Sequence, residues 1–287
     1  WMYAKERTQC DTGEIAEEGA LTILLAHSII NNERFDLDHI KASYLTWYKE
    51  EPEMMDVSRA TALQEAPSAK SDSALSLIRL VPLAIYGAQR SERELLKNAE
   101  AECSLTHTNP ICIDSSKIFA LAIAKLVSEE LTADNLVTYL KVTSAKLKLD
   151  ERVQKAIELG GKRTPALKGD SVLIALQLCL HTLLNTSDFE EGMLRIVAKG
   201  GDTAAIYASL YGALAGALYG AEAIPERIRR FRDDRLSKIV AGETPFSMDS
   251  GATIVLHLLP VSSFSQPATV DVVAVLHDYG CLSPIGA

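Results

Sequence analysis

Gly200-Gly201-Asp202-Thr203 heads a stretch without charge, Thr203 to Ala221, in which Gly212, Gly216 and Gly220 recur every fourth residue. A glycine pair followed by an acid and a hydroxyl at a helix N-terminus suits two chemistries. Oxygen donors there can grip a cation, or backbone amides can meet an anion. Taken alone, these residues favour a plainer reading, in which Gly-Gly ends one helix and Asp202 or Thr203 caps the next. His107 follows Thr106 at a turn ahead of a helix, within reach of a ligand, although a hydrogen-bonded structural histidine is the commoner outcome. Arg227, Arg229, Arg230, Arg232 and Arg235 cluster, but Glu226, Asp233 and Asp234 are interleaved with them. That pattern predicts a solvated helix face rather than a nucleic-acid grip.

Cysteine offers little chemistry. Cys10, Cys103, Cys112, Cys179 and Cys281 are odd in number, widely spaced and never paired as CxxC. This argues against a disulfide framework or a thiolate zinc site and for a reducing, intracellular compartment, with cytoplasm and organelle matrix fitting equally. Cys179, within LQLCLHTLL, reads as a small core residue. The first residues, from Trp1, do not read as a secretory signal.

Helices must position these groups. The chain has 287 residues, 47% hydrophobic and 23% charged, with few aromatics, the composition of a soluble, mainly helical body with a sizeable core. A net charge of -9 gives no electrostatic reason to bind nucleic acid or anionic lipid. Apolar spacing predicts helices over 14–31, 38–49, 114–130, 133–147, 150–159, 170–184 and 187–199, with a loose polar stretch from Glu50 to Asp72. Pro82 should kink or split the apolar segment Leu75–Tyr86. Ser91 with Glu94 and Ser187 with Glu190 fit capping boxes, Gly160-Gly161 reads as a turn, and Pro225 suits the first turn of a helix over 225–239.

The stretch 203–221 barely reaches the length of about 20 apolar residues that a bilayer requires. Its four-residue glycine spacing suits helix pairing in membranes and equally in a soluble core. Asp202 and Glu222 bracket it with no basic anchor, so the expectation is a buried core helix and no membrane span. In the tail, 253–261 and 269–279 are rich in β-branched residues, and their periodicity fits strands or short buried helices.

Four segments, in order, resemble the ADP-ribosylglycohydrolase family. AEEGALTILLAHSII (16–30) sits where the family opens an apolar helix with Thr-Asp-Asp-Thr. SLIRLVPLAIYG (76–87) is similar to its "SLMRxxPLxxxY" segment, and CSLTHTNPICIDSSKIFALAIAKLV (103–127) to its "THxxP" helix. SDFEEGMLRIVAKGGDTAAIYASLYGALAGALYG (187–220) resembles its C-terminal "GGDTDT" signature and small-residue helix. The resemblance covers about 11–221 and leaves 240–287 as a divergent tail. It implies an all-α fold, here one compact multi-helix domain over 1–287, and cleavage of ADP-ribose from proteins or small molecules with two magnesium ions.

Carried across, the first motif falls on Ala16, Glu17, Glu18 and Gly19, and the second on Gly200, Gly201, Asp202, Thr203, Ala204 and Ala205. Alanine methyls replace three expected oxygen donors, and two aspartates are lengthened to glutamate. Magnesium holds near-octahedral oxygen geometry, so both changes weigh against a two-ion site. Glu17, Glu18 and Asp202 remain as a residual, weak or empty metal set, and Glu17 and Glu18 equally suit the first turns of a helix as dipole partners. Ser76, Arg79, His107, Gly200, Gly201 and Thr203 stand as ligand-binding candidates, with Arg79 alternatively a structural ion-pair partner. The family's Asn-Gly ahead of "SLMR" is replaced by Ala74 and Leu75, its Gly-Asp-rich first helix has no counterpart after Trp1, and no catalytic residue is assigned.

The resemblance therefore implies an ADP-ribosylglycohydrolase-like protein expected to have lost hydrolase activity and to serve as a binding module or a structural subunit of a larger assembly. No cofactor is expected, with magnesium present only where the site is retained. A protein partner is expected, and ADP-ribose is the candidate small ligand. The alternative is an active magnesium-dependent ADP-ribosyl hydrolase.

Overall fold

The computed structural model describes residues 17–50, 62–129, 131–166, 168–199, 203–225, 254–257 and 271–274; Glu18, Glu50 and the last two segments are described by backbone alone. Helices α1 (Glu17–Asn32) and α2 (Leu37–Glu50) open the fold. A helical turn over 62–64 follows, with Leu63 buried, so the stretch expected to be loose carries one anchor in the core. Pro82 splits the next segment as expected. Helix α3 (Leu75–Ile78) stops before it, and α4 (Val81–Gly87) carries it in its first turn, where a missing N–H is harmless.

Helices α5 (Glu92–Cys103), α6 (Pro110–Ser128), α7 (Ala133–Lys146), α8 (Glu151–Gly160) and α9 (Val172–Leu184) follow. Their caps are Ser91, Asn109, Thr132, Asp150 and Ser171, each accepting a backbone amide on its side-chain oxygen. Helix α6 begins four residues earlier than its apolar pattern suggests, because Asn109 caps it and Pro110 is tolerated in its first turn. The second capping box is also shifted by one residue. Asp188, not Ser187, caps α10 (Phe189–Val197), while Glu191 reaches back to the Ser187 amide. Helix α11 (Ala204–Tyr219) ends at Gly220, whose φ of 80° is readily reached only by glycine.

After a 3-10 turn at Ala221–Ala223, Pro225 is not helical, and the helix expected over 225–239, with its arginine cluster, otherwise lies outside the described residues. Within the tail, β1 (Ile254–His257) and β2 (Asp271–Ala274) pair antiparallel, Ile254 opposite Ala274, and β2 lies against α11. The tail segments are therefore strands rather than short helices, over four residues each. Elsewhere, the described residues are helical with connecting turns, the expected all-α body.

Helices α6 and α11 occupy the centre. Along α6, Ile118 to Ala124 are buried without a break, and along α11 so are Tyr207 to Gly216. A helix apolar on every side has to be surrounded by protein. Helix α6 touches α3, α4, α5, α7, α8, α9 and α11, which makes it the hub of one continuous core. Each fully buried leucine, isoleucine or phenylalanine contributes about 1.5–3 kcal/mol. No helix among the described residues is long and apolar enough to cross a membrane.

Candidate functional site

The elements that carry the described sequence candidates meet around α3. This single turn lies against α1, α6, α9 and α11, so it joins the helices that carry the first and second motifs. Glu17 is the first residue of α1 and is 2% exposed. Ala204 and Ala205 form the first turn of α11, both half-buried. Gly200, Gly201 and Asp202, and the side chain of Glu18, lie outside the described residues. Among the described residues, no three His, Cys, Asp or Glu side chains converge as a metal site requires.

Thr203 stands at the cap position of α11, but its backbone is helical and its side chain accepts no cap hydrogen bond. The side-chain cap considered at that residue is therefore absent. The Thr203 side chain instead lies near the Tyr207 phenol one turn on. Tyr207 donates to the Gly169 carbonyl at 2.5 Å, and burial pushes its hydroxyl up to about 12.

Arg79 is an ion-pair partner, and a buried one. Its Nε donates to Glu102 Oε1, and its Nη2 donates to Thr106 Oγ1 at 2.6 Å. Tyr44, from α2, donates to the same Glu102 oxygen at 3.0 Å. Burial first, and then the Glu102 carboxylate, raise the Tyr44 phenol well above its ordinary value. For Arg79, burial opposes the charge, but Glu102 and Tyr44 together offset it and hold the guanidinium above its usual range. His107 joins the end of this network, its Nδ1 2.8 Å from Thr106 Oγ1, and it is 3% exposed. Ser76 is fully buried and donates to the Ser73 carbonyl at 3.0 Å.

Sequence reasoning missed Glu102 and Tyr44. Both left a signal. Leu95, Ala99 and Glu102 share the buried face of α5, so Glu102 is a charge on an apolar stripe and needs a partner. Tyr44 stands between the buried Ile40 and Trp47 at helical spacing.

A second knot joins α3 to the turn before α9. Ser73 donates to Asp170 Oδ2 at 2.5 Å, the Ala74 amide donates to the Asp170 carbonyl at 2.6 Å, and the Val172 amide to the Asp72 carbonyl at 2.7 Å. Ala74 is fully buried. The place where the family resemblance expects asparagine thus carries a methyl, Leu75 stands where it expects glycine, and the Ala74 amide is already spent.

A helical body centred on α6 and α11, with the four motif segments brought around α3, defines the class, and the comparisons agree. The ADP-ribosylglycohydrolase family profile matches residues 2–244. The chain belongs to the ADP-ribosylglycohydrolase family. A solved structure described as an "ADP-ribosylglycohydrolase-related protein complex" superposes with a TM-score of 0.67 at 24% identity, over 79% of this chain and 78% of that one, a likeness of fold. No curated protein sequence matches this one.

Proposed function

We propose that this protein has lost glycohydrolase activity and serves as a binding module or a structural subunit of a larger assembly. One observation carries the reading: the two positions where the resemblance expects an aspartate and a threonine ligand are the methyls of Ala204 and Ala205 at the head of α11. The donor set left, Glu17 and Glu18 with Asp202, is too poor for two magnesium ions, which require near-octahedral oxygen ligation.

The polar groups nearby add support. Ser76, Arg79 and His107 are each engaged within the chain. A ligand would have to replace those bonds rather than find donors waiting. The solved neighbour's description as a protein complex lends the subunit reading a parallel.

The alternative, an active magnesium-dependent hydrolase, draws on the retained Asp202 and on the Glu17 carboxylate at the head of α1. A calorimetric titration of ADP-ribose with and without magnesium separates the readings. Metal-independent binding supports a binding module, and no binding supports a structural subunit. Magnesium-dependent binding, with release of ADP-ribose from a modified peptide that Asp202→Ala abolishes, would overturn the loss of activity.

A further inference from the structure

Residues 168–171 cross the head of α3 and reach the first turns of α11. Asp170 fastens them with two bonds, from the Ser73 hydroxyl and the Ala74 amide, and Gly169 accepts a third from Tyr207; next to them the Val172 amide bonds the Asp72 carbonyl. Lys168 and Gly169 are exposed, Asp170 and Ser171 half-buried, so the crossing is held by polar contacts and buries no apolar side chain of its own. At its downstream end the chain is anchored. Ser171 caps α9 and Val172 is fully buried. Gly169, at a φ of 75°, supplies a backbone that most residues resist. Segments with few buried apolar contacts and accessible backbone hydrogen bonds open at far lower cost than the core they cover.

We propose that 168–171 is a strap: while closed, Asp170 engages the Ser73 hydroxyl and the Ala74 amide, and the edge of α3 facing α11 becomes available to a ligand only when the strap opens. The strap is a regulatory element within the chain. It rests on the reading that the α3–α11 end is where a ligand such as ADP-ribose would bind.

Two bonds of the knot have different owners, and that makes the strap testable. Tyr207 holds Gly169 but touches neither the Ala74 nor the Val172 amide in the bonds that fasten the strap. Hydrogen exchange on the full chain should show the Ala74 and Val172 amides opening together and faster than Leu180 inside α9. Tyr207→Phe should speed both by roughly five- to tenfold, the effect of losing one ordinary hydrogen bond.

Asp170→Ala, at a half-buried position, is the second variant. It should speed Val172 and tighten ADP-ribose binding by a similar factor. The strap is refuted if Ala74 and Val172 exchange only with Leu180, if neither variant changes them, or if Asp170→Ala weakens ADP-ribose binding. Coupled opening without ADP-ribose binding in any variant leaves the strap standing and removes the ADP-ribose reading.

Discussion

Arg79 and Glu102 form an ion pair whose side chains keep 2% and 0% of their surface. Removing two charges from water is costly, and Tyr44 and Thr106 offset part of that cost with hydrogen bonds to the pair, while Glu102 Oε2 is buried with no hydrogen-bond partner among the described residues. Truncating one member strands the other. Arg79→Met should therefore lower unfolding stability by about 3–5 kcal/mol. Arg79→Met combined with Glu102→Leu should recover much of that loss, since no buried charge is left. Urea denaturation of the three proteins checks both. A small loss in the single variant would mean that water reaches the pair.

Gly192 is a glycine for a reason of space. A Cβ built there would stand 1.7 Å from Tyr211 Oη and 2.2 Å from its Cζ. Tyr211 is fully buried in α11, and its hydroxyl lies 3.3 Å from Thr186 Oγ1. The ring has little room to yield, because α10 and Thr186 bound it. Gly192→Ala should cost about 1–3 kcal/mol by overpacking, despite the better helix propensity of alanine. Thermal unfolding would show it, and an unchanged midpoint would mean that α10 shifts freely.

Three thiols are sealed. Cys103, Cys112 and Cys179 are buried and unpaired with one another. Burial pushes Cys103 up to about 11 and Cys112 up to about 12, with Cys179 higher still. In the unfolded chain such a thiol ionises near 9. Between that value and the folded one, the unfolded state has lost protons the folded state keeps, so stability is fully present below about pH 9 and falls as pH rises toward 11. Denaturation midpoints measured from pH 8 to 11 test the sign. Alkylation of these three residues at pH 8, read by peptide mapping, should proceed only at the rate of unfolding.

Much of the fold is legible in the sequence alone. The cap at Ser91, the break at Pro82 and the buried helix after Thr203 follow from local chemistry, where a hydroxyl, a missing N–H or an all-round apolar pattern acts within one turn. What escaped was long-range. Asp170 meets Ser73 across 97 residues, and Tyr44 meets Glu102 across 58. No spacing rule joins such partners. The misplaced cap at Ser187 is a different case, since Ser187, Asp188, Glu190 and Glu191 offer two equivalent registers one residue apart. The burial of Phe189 selects the second.

Ala204 and Ala205 provide the sharpest test of the lost metal site. Both stand half-buried in the first turn of α11, where added side chains have an outlet. The unaltered protein should show no rise in melting temperature with magnesium. Ala204→Asp with Ala205→Thr restores two of the three oxygen donors that the family resemblance expects, and Glu17→Asp shortens one of the two first-motif acids toward its expected reach. If geometry otherwise persists, magnesium at a hundred times its dissociation constant would add about 2.7 kcal/mol. For a chain of this size that is a rise of roughly 5–11 °C. A comparable rise in the unaltered protein would show that Glu17, Glu18 and Asp202 hold the ion without help, and the proposed loss of activity would lose its main support.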